Sequence, residues 1–514
     1  MDGNQVDTAT DGENDALAFK RDLWASCNKM RGKTDAAEYK HVVLPLIFLK
    51  YISDSFEETH TKFIEKEINP EIKKEYTERN VFWVPKEARW KGIVNRENNA
   101  NLGQIIDHAM KEIGVNNPKL ENVLISRFGQ SDLSDEVLGG VVDLFGKLPS
   151  FGNEDARSKD IIGSVYEYFK GKFAELEQRG GEFYTPPSVV RLLVEILDPD
   201  EGRLYDGCCG SGGMFIQSLK LKKKSLSVYG QESNPFTWRL AMMSLISNNI
   251  DADLADSWGD TLLDDLHKGE KADYVMTNPP FNLKDWGWES LQDDDRWKDW
   301  GVPPKGSANY AWILHHLHHL ADRGTAGIVM SNGTLSTTKK EEKAIRQKII
   351  EADKLDCVIM LPDRLFSNTG ISACIWVLSN DKKDPKFRDR SGESLFIDCR
   401  GMGKMITRKL RQLTKEEVTK ISETYQNWRS KDNYELYEDE RGFCASVTAE
   451  VEIAEHDGII VPGRYVGAPP LPDDGEPFEE KMEHLTKELK EYFAESRRLE
   501  KELQKNLEDL GYEL

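Results

Sequence analysis

The tetrapeptide Asn278-Pro279-Pro280-Phe281 carries residue types suited to chemistry at an amino nitrogen, and it ends the strand-like run of residues 272–277. An amino nitrogen conjugated to a ring or a carbonyl is a poor nucleophile, because its lone pair is delocalised. Two acceptors, the Asn278 side-chain oxygen and the Pro279 carbonyl, could draw its protons out of plane and direct the lone pair toward a methyl donor. Proline has no N–H and a fixed φ, so such a turn holds its carbonyls rigidly.

Phe281 adds a flat face on which a planar base could stack. Asn and Pro are also ordinary turn residues, so a simple strand-ending turn is the alternative interpretation.

A glycine-rich turn follows another strand-like run. In Asp206-Gly-Cys-Cys-Gly-Ser-Gly-Gly213, the residues Gly210 and Gly212 remove side chains where backbone could approach a ligand. The turn does not match GxGxxG, so a dinucleotide site is not the default prediction, and a plain tight turn remains the alternative.

Three further side chains could complete a site for a nucleoside. Glu232 ends the next strand-like run, about twenty residues on, where a carboxylate suits two ribose hydroxyls. Asp260 could accept from an adenine amino group, and the Thr185 hydroxyl, just before a predicted helix, could help hold a carboxylate. Each acidic residue alone could instead cap a helix or lie in a solvated turn, but their joint order favours a binding site.

The elements that would position these residues alternate between strand-like and helix-like segments. This alternation predicts an α/β fold, a sheet with helices on both faces, and ligands in such folds bind at the carboxyl ends of the strands. Helices are expected over residues 188–197 and from about Met214. The predicted strands are Arg203–Tyr205, Ser227–Tyr229, Tyr274–Thr277, Gly327–Ser331, Asp356–Met360 and Ala373–Leu378.

The segments that flank this region have other patterns. Residues 1–15 are polar and are predicted to be disordered, and residues 16–157 are predicted to form a helical N-terminal domain. The α/β domain is expected over residues 158–465, followed by a linker and tail over residues 466–514. Apolar residues in the tail alternate spacings of three and four, a heptad seam that predicts a helix over residues 477–512. This helix could bind a partner, self-associate, or fold back on its own domain.

Composition limits the classes of protein that the chain can belong to. Among 514 residues, 69 Lys and Arg face 90 Asp and Glu, a net charge of −21, so we do not expect a broad basic surface that holds nucleic acid unaided. Seven cysteines without a CxxC pair favour a reduced, cytoplasmic protein with no zinc site and no disulfide framework. No apolar run is long enough to span a bilayer.

In their order, these motifs resemble those of the adenine-specific DNA methyltransferases that use S-adenosylmethionine. They are still more similar to those of the modification subunits of type I restriction–modification systems, and the resemblance covers nearly the whole chain. The motifs that carry it are Leu23-Trp-Ala-Ser-Cys-Asn-Lys-Met-Arg-Gly32, Glu38-Tyr-Lys-His-Val-Val43, Phe48-Leu-Lys-Tyr-Ile-Ser-Asp54, Gly180-Gly-Glu-Phe-Tyr-Thr-Pro186, Leu361-Pro-Asp-Arg-Leu-Phe-Ser-Asn-Thr-Gly-Ile371, Pro462-Gly-Arg-Tyr-Val-Gly467 and Asn506-Leu-Glu-Asp-Leu-Gly-Tyr512.

The resemblance implies a Rossmann-like methyltransferase sheet with a helical N-terminal domain and a long C-terminal helix. It implies that the methionine part of S-adenosylmethionine, its ribose and its adenine are bound by Thr185, Asp206, Gly210, Gly212, Glu232 and Asp260. The target adenine, flipped out of the duplex, would be bound by Asn278, Pro279, Pro280 and Phe281. Where the family usually has Asp-Pro-Ala-Cys, this chain has Asp206-Gly-Cys-Cys209, and Gly207 is expected to loosen the backbone.

Partners are predicted from the same resemblance, the net acidity and the short region after the sheet. We expect a separate specificity subunit to read the DNA sequence and to dock on the helix of residues 477–512. A second copy of this chain and a nuclease or translocase subunit are further expected partners. No GxxxxGK[ST] motif is present, so ATP-driven translocation is not assigned to this chain.

Two alternative functions remain at this stage. One is a methyltransferase for the amide of a protein glutamine, against which the N-terminal helical domain and the seam helix argue. The other is a non-catalytic assembly subunit on a decayed methyltransferase fold, against which the intact Asn278–Phe281 turn, Glu232 and Asp260 argue.

Two other features are given no role in the chemistry. His315 and His319 have the i, i+4 spacing of metal ligands, but no third ligand is evident, so packing or capping is favoured over a metal site. The loop Trp286–Trp300 contains four tryptophans and could face DNA or fold over the target base. Its acidic run Asp293–Asp295 disfavours contact with phosphate.

Overall fold

Helices form the first part of the chain. In the computed structural model they are α1 Thr8–Arg31, α2 Ala36–Glu65, α3 Lys73–Thr77, α4 Trp90–Val94, α5 Leu102–Asn116 and α6 Asp135–Gly146. The structure describes residues 8–32, 34–95, 101–124, 127–130, 134–147, 165–166, 168–173, 185–222, 226–366, 372–408, 410–468 and 478–509. Helix α1 begins within the segment predicted to be disordered, and residues 1–7 lie outside the described residues.

Helix α5 illustrates why these segments are helical. Buried Leu102, Ile106 and Ile113 recur at helical spacing, which gives the helix one apolar face against the core. Asn101 caps its first turn, because the Asn101 side-chain oxygen accepts from the Gln104 N–H at 3.1 Å.

A nine-stranded sheet with its helices follows. The helices are α7 Pro187–Leu197, α8 Gly213–Lys222, α9 Pro235–Ser247, α10 Asn309–His318, α11 Gly333–Ser336, α12 Lys340–Glu351 and α13 Lys415–Arg429. The strands of this sheet are β1 Gly202–Asp206, β2 Leu226–Gly230, β3 Ala252–Asp253, β4 Ala272–Thr277, β5 Leu320–Ser331, β6 Leu355–Met360, β7 Ala373–Ser379, β8 Glu393–Asp398 and β11 Cys444–Thr448. A separate two-stranded hairpin pairs β9 Lys404–Met405 with β10 Arg411–Gln412. All six predicted strands are confirmed, whereas β8 and the edge strands β3 and β11 were not predicted.

The strand order places two of the predicted turns side by side. Along the sheet it is β11-β8-β6-β7-β5-β4-β1-β2-β3, with β7 and β11 antiparallel to their neighbours and all other pairs parallel. The order reverses between β1 and β4, where Tyr205 is paired with Val275. Ligands of such sheets bind at this reversal, outside the carboxyl ends of the strands. The turns after Asp206 and Thr277 both start there.

Alternate residues of each strand pack against different layers. In β1, Leu204 belongs to a core shared with α7, α8, α9, α13 and the N-terminal helices, whereas Tyr205 belongs to a second core with α10 and α12. The sheet is therefore covered by helices on both faces, as its alternating elements predicted.

The chain divides into two units, one ending at Val466 and the other starting at Gly467. The second unit contains helix α14 Phe478–Asp509, whose Met482, Leu485, Leu489 and Tyr492 are 45–68% exposed. Among the described helices, none combines the length and apolar character needed to cross a membrane.

All seven cysteines are free thiols, six of them buried and Cys208 half-buried. Burial raises the pKa of each thiol.

Candidate active site

Asp206 ends β1 with a fully buried carboxylate. Its Oδ1 accepts from the Cys208 N–H at 2.9 Å, while its Oδ2 forms no hydrogen bond of standard geometry among the described residues, although the Thr277 hydroxyl interacts with this carboxylate and favours its ionised form. Burial raises the pKa of Asp206 to about 7. A buried oxygen of this kind can accept a donor from a ligand at the switch point.

The glycine-rich turn after Asp206 leaves its backbone open. Gly210 and Gly212 have φ of +54° and +75°, the left-handed region that favours glycine. A side chain added at Gly210 would meet no atom within 4 Å among the described residues, so this part of the turn faces open space.

Side chains from other segments pack against the glycine-rich turn. The buried ammonium of Lys170 donates to the Ser211 carbonyl at 3.3 Å and to the Ser244 hydroxyl at 2.8 Å. A β-carbon at Gly207 would lie 2.9 Å from His316 Nε2, and the Gly207 carbonyl accepts from the Thr261 hydroxyl at 2.5 Å. Gly207 therefore permits close packing of the turn, and a loosening of the backbone at this position stays a prediction.

Glu232 and Asp260 lie on two turns that the Gln231 side chain joins. Gln231 Nε2 donates to the carbonyls of Gly259 at 3.1 Å and Asp264 at 2.7 Å, and the Gly259 N–H donates to the Glu232 carbonyl at 3.0 Å. Both acidic side chains also stabilise their own turns. Glu232 Oε1 accepts from the Asn234 N–H at 2.7 Å, and Asp260 Oδ1 accepts from the Leu262 N–H at 3.0 Å.

Asn278 is the residue of the Asn-Pro-Pro-Phe turn with the most informative environment. Its amide Nδ2 donates to the Thr185 hydroxyl at 2.9 Å, whereas its Oδ1 is buried with no partner among the described residues. Pro279 is buried and Pro280 is exposed. Phe281 is half-buried and meets Phe366 edge-on, with ring centroids 6.3 Å apart.

The turn is fixed by a reciprocal pair of asparagines. The Asn282 N–H donates to Asn309 Oδ1 at 2.8 Å, and Asn309 Nδ2 donates to Asn282 Oδ1 at 3.0 Å. Asn282 has a φ of +58°, in the left-handed region that asparagine tolerates, and Asn309 begins α10. The first turn of α10 therefore sets the position of the Asn-Pro-Pro-Phe turn.

Thr185 contacts the Asn-Pro-Pro-Phe turn and precedes helix α7. Its hydroxyl oxygen accepts from Asn278, which leaves its own proton available to a second group. Pro186 and Pro187 begin α7 and have no N–H, so Ser188 is the first residue of that helix able to donate from its backbone.

The tryptophan-rich loop is folded on itself. Trp286 and Trp297 are each 1% exposed and meet edge-on at 6.0 Å. Arg296 of this loop is 5% exposed, pairs with Asp294 at 2.8 Å and donates to the carbonyls of Thr261 and Leu262. These carbonyls directly follow Asp260, so the loop supports the Asp260 turn.

The histidines of α10 have a third candidate ligand that was not evident in the sequence, because Asp265 lies beside His315 and His319. Each ring nitrogen already has a partner. His315 Nε2 is 2.9 Å from the Tyr205 hydroxyl and its Nδ1 is 3.1 Å from Arg296. His319 contacts the Glu270 carbonyl through Nδ1 and Asp265 through Nε2, both at 2.9 Å. The cluster is therefore a satisfied buried network, as the packing interpretation expected.

Comparison with known proteins places this geometry in a family. The N-6 DNA methylase family matches residues 157–474, and the HsdM N-terminal domain family matches residues 19–145. The chain is 43% identical over 427 residues to the methylase subunit of the type I restriction enzyme HindI from Haemophilus influenzae, covering 80% of this chain and 94% of that protein. The chain belongs to the N-6 DNA methylase family, among the type I methylase subunits. The resemblance found in the motifs is thereby confirmed.

Other relatives of this type I methylase subunit agree. The MjaIX methylase subunit of Methanocaldococcus jannaschii is 36% identical over 524 residues, which cover 96% of this chain and 92% of that protein. A type I restriction–modification methyltransferase subunit from Streptococcus thermophilus matches the structure with a TM-score of 0.73 and 25% identity, over 88% of this chain and 99% of that chain.

Several residues that shape the site of this methylase were missed in the sequence. Gln231, Lys170, Arg296 and Asn309 act on turns far from them along the chain, so no local motif marks them. Of these residues, Gln231 came nearest to being predictable, because it directly precedes the candidate ligand Glu232. Its burial means that the polar atoms of its amide need partners nearby.

Proposed function

We propose that this type I methylase subunit transfers a methyl group from S-adenosylmethionine to the exocyclic amino nitrogen of adenine in DNA. The observation that carries the proposal is Asn278 Oδ1, a buried acceptor without a partner among the described residues, in a turn that also presents Phe281. Leaving such an acceptor unmatched costs about 1–3 kcal/mol, which a bound amino group would recover.

The residues at the switch point fit S-adenosylmethionine. Asp206 Oδ2 would accept from the ammonium group of the cofactor, and the open backbone at Gly210 and Gly212 would allow its methionine part to approach. Thr185 would donate its remaining proton to the carboxylate. Glu232 would bind the ribose hydroxyls and Asp260 the adenine amino group. When bound, S-adenosylmethionine supplies a methyl group activated by its sulfonium.

Asn278 and Pro279 would prepare the acceptor. The Asn278 side-chain oxygen and the Pro279 carbonyl hold the two amino protons, so that the lone pair of the nitrogen is directed at the methyl carbon. The carbon–nitrogen bond forms as the carbon–sulfur bond breaks, and one amino proton is lost to water. Correct positioning supplies much of the acceleration.

Phe281 would help to hold the flipped base. Base flipping costs a few kcal/mol, and stacking on Phe281 would offset on the order of 1–3 kcal/mol of it. Cys208 and Cys209 are not nucleophiles in this scheme, since burial raises the pKa of both thiols well above its usual value.

A separate specificity subunit would read the DNA sequence. The exposed apolar seam of α14 is the docking element that we propose for it, because such a seam is completed by another helix. A second copy of this chain would join the same assembly.

Transfer of labelled methyl from S-adenosylmethionine to plasmid DNA tests the proposal, with and without the specificity subunit encoded beside this chain. We expect label on adenine only with the partner. Asn278→Ala should lower the rate by roughly a hundredfold or more while cofactor binding persists. Asn433→Ala, an exposed asparagine outside the site, is the matched control.

Two results would contradict the proposal. Equal labelling by the chain alone would remove the need for a separate reader. Absence of label on DNA, with cofactor binding intact, would shift the assignment to a protein amide as acceptor.

A further inference from the structure

A short hairpin follows β8 next to the base-binding turn. We name residues 399–412 the basic hairpin, in which β9 and β10 pair antiparallel. The N–H groups of Ile406 and Thr407 donate to the Leu410 carbonyl at 2.9 and 3.2 Å, and Lys409 lies outside the described residues.

The basic hairpin leaves the sheet at the same edge as the Asn-Pro-Pro-Phe turn. Strand β8 runs parallel to β6, and both run in the direction of β4. The Arg411 N–H donates to the Arg364 carbonyl at 2.8 Å, and its guanidinium pairs with Asp363 at 3.2 Å. Two residues after Arg364, Phe366 meets Phe281 edge-on. The hairpin is thus linked to the proposed base pocket through residues 363–366.

The hairpin has a charge opposite to that of the chain as a whole. Residues 399–412 contain five Lys and Arg and no Asp or Glu, in a protein of net charge −21. Arg400 pairs with Asp398 at 2.6 Å and Arg411 with Asp363, which fixes the base of the hairpin. The side chains of Lys404 and Arg408 are exposed. Positive charge beside a base pocket is complementary to DNA phosphates.

The hairpin also exposes two large apolar side chains. Met405 is 43% exposed and Ile406 is 54% exposed, directly after Lys404. Apolar side chains flanked by basic residues are the combination with which proteins enter between base steps.

We propose that the basic hairpin binds the DNA duplex beside the flipped adenine. Lys404 and Arg408 contact phosphates, and Met405 and Ile406 pack against the bases that the target adenine leaves behind. This inference rests on the proposed function, and it adds the basic hairpin as an element of this chain that binds DNA.

The proposed phosphate contacts of Lys404 and Arg408 are tested by the salt dependence of DNA binding. The measurement uses the complex of this chain with the specificity subunit. The probe is a synthetic duplex carrying the site found by mapping methylated adenines on a modified plasmid. For Lys404→Gln with Arg408→Gln, the slope of log affinity against log salt should become shallower by about 2. Lys383→Gln with Lys386→Gln is the matched control, because these exposed lysines follow antiparallel β7 at the opposite edge of the sheet. Equal slopes for both pairs would overturn the phosphate contacts.

The proposed contacts of Met405 and Ile406 with bases are tested with a double variant that carries Met405→Ser and Ile406→Ser. Methyl transfer to the normal duplex should fall at least roughly tenfold, whereas transfer to a duplex whose target adenine is mismatched, and so already unstacked, should stay near wild type. A fluorescent adenine analogue at the target position should brighten less than with wild type. Val451→Ser, 58% exposed after antiparallel β11, is the control. An equal loss on both duplexes would overturn the contact with bases.

Failure of this inference differs from failure of the proposed function. If wild type does not methylate DNA adenine, the proposed function is wrong. If wild type does so and the hairpin variants match it, only the hairpin inference is wrong. Loss of the specificity subunit from the variants would assign the surface to a protein partner and would also overturn it.

Discussion

Asp206 Oδ2 and Asn278 Oδ1 are buried oxygens that form no hydrogen bond of standard geometry in the described part of the protein, although the Thr277 hydroxyl interacts with the Asp206 carboxylate. Each costs on the order of 1–3 kcal/mol in the free protein, and a ligand that supplies the donors recovers that cost. The two atoms lie on turns after neighbouring strands, one suited to an ammonium and the other to an aromatic amino group. At the scale of single residues, the proposed recognition of cofactor and base would therefore depend on these two buried acceptors.

Asp206 should make cofactor affinity depend on pH. Its pKa is about 7 in the free protein, and the cofactor ammonium pairs with the ionised form, so affinity is full above pH 7 and is lost as the pH falls through that value. Calorimetry should show about a tenfold weaker Kd for each pH unit below 7. Asp206→Asn should bind weakly and without this pH dependence.

The same variant has a second readout in the free protein. Because burial raises the folded-state pKa, Asp206 stabilises the fold best when protonated, and that stability is lost as the pH rises through about 7. Asp206→Asn should therefore raise the free energy of unfolding above pH 7. A cofactor affinity that is flat across this range, or an unchanged unfolding energy, would contradict the environment assigned to Asp206.

At the scale of elements, the turns of the site are held by side chains from other segments. Arg296 supports the Asp260 turn from the tryptophan-rich loop, Gln231 joins the Glu232 and Asp260 turns, and Asn309 of α10 fixes the turn after Phe281. The tryptophan-rich loop, for which contact with DNA was an open interpretation, buries Trp286 and Trp297 and acts as a support.

The variant Arg296→Met should distinguish support of the Asp260 turn from a role in methyl transfer itself. It removes donors from two carbonyls and leaves Asp294 without its ion pair, so we expect a loss of about 3 kcal/mol in the free energy of unfolding and a weaker cofactor Kd. The rate at saturating cofactor should change little. Isothermal titration and chemical denaturation measure both effects.

Arg390→Met provides the control for this experiment. Arg390 is also buried and paired with an aspartate, Asp356 at 3.1 Å, but it lies away from the cofactor turns. It should lower the unfolding free energy without changing the cofactor Kd. A similar loss of cofactor affinity in both variants would show that Arg296 acts only through global stability.

The sequence predicted the strands and turns whose own residues form a recognisable local pattern. The six predicted strands contain short apolar runs, and Asp206 ends a strand while Glu232 and Asn278 follow strands closely, so their shared edge could be inferred. The edge strand β3 has only two residues, and β11 is partly exposed, so neither has such a run. Lys170 lies 41 residues from Ser211, and its contact depends on how the helical region packs on the sheet.

At the scale of the whole molecule, the described part of this acidic chain exposes a row of apolar side chains on α14 and two more, Met405 and Ile406, on the basic hairpin. We assign the first to a protein partner and the second to DNA. The turns of the proposed active site lie in the unit that ends at Val466, and the seam lies in the unit that starts at Gly467.

The seam should be needed for assembly and dispensable for cofactor binding. Leu485→Ser with Leu489→Ser removes two apolar side chains that are 46% and 51% exposed, so the specificity subunit should no longer co-purify and methyl transfer to DNA should be lost. Cofactor Kd should stay at the wild-type value. Lys487→Ser, on the polar side of α14, is the control. Retention of the partner by the double variant would direct the search to another surface.

Six of the seven cysteines are buried, so their reaction with alkylating reagents can report local opening of the structure. Only the thiolate reacts with alkylating reagents, and the raised pKa values make each thiol nearly inert while it is enclosed. Modification under native conditions therefore counts transient openings of the surrounding structure. Cys209 reports opening of the glycine-rich turn, whereas Cys357 and Cys374 report opening of the central strands. Mass spectrometry of the modified peptides would measure the two opening rates separately in one sample.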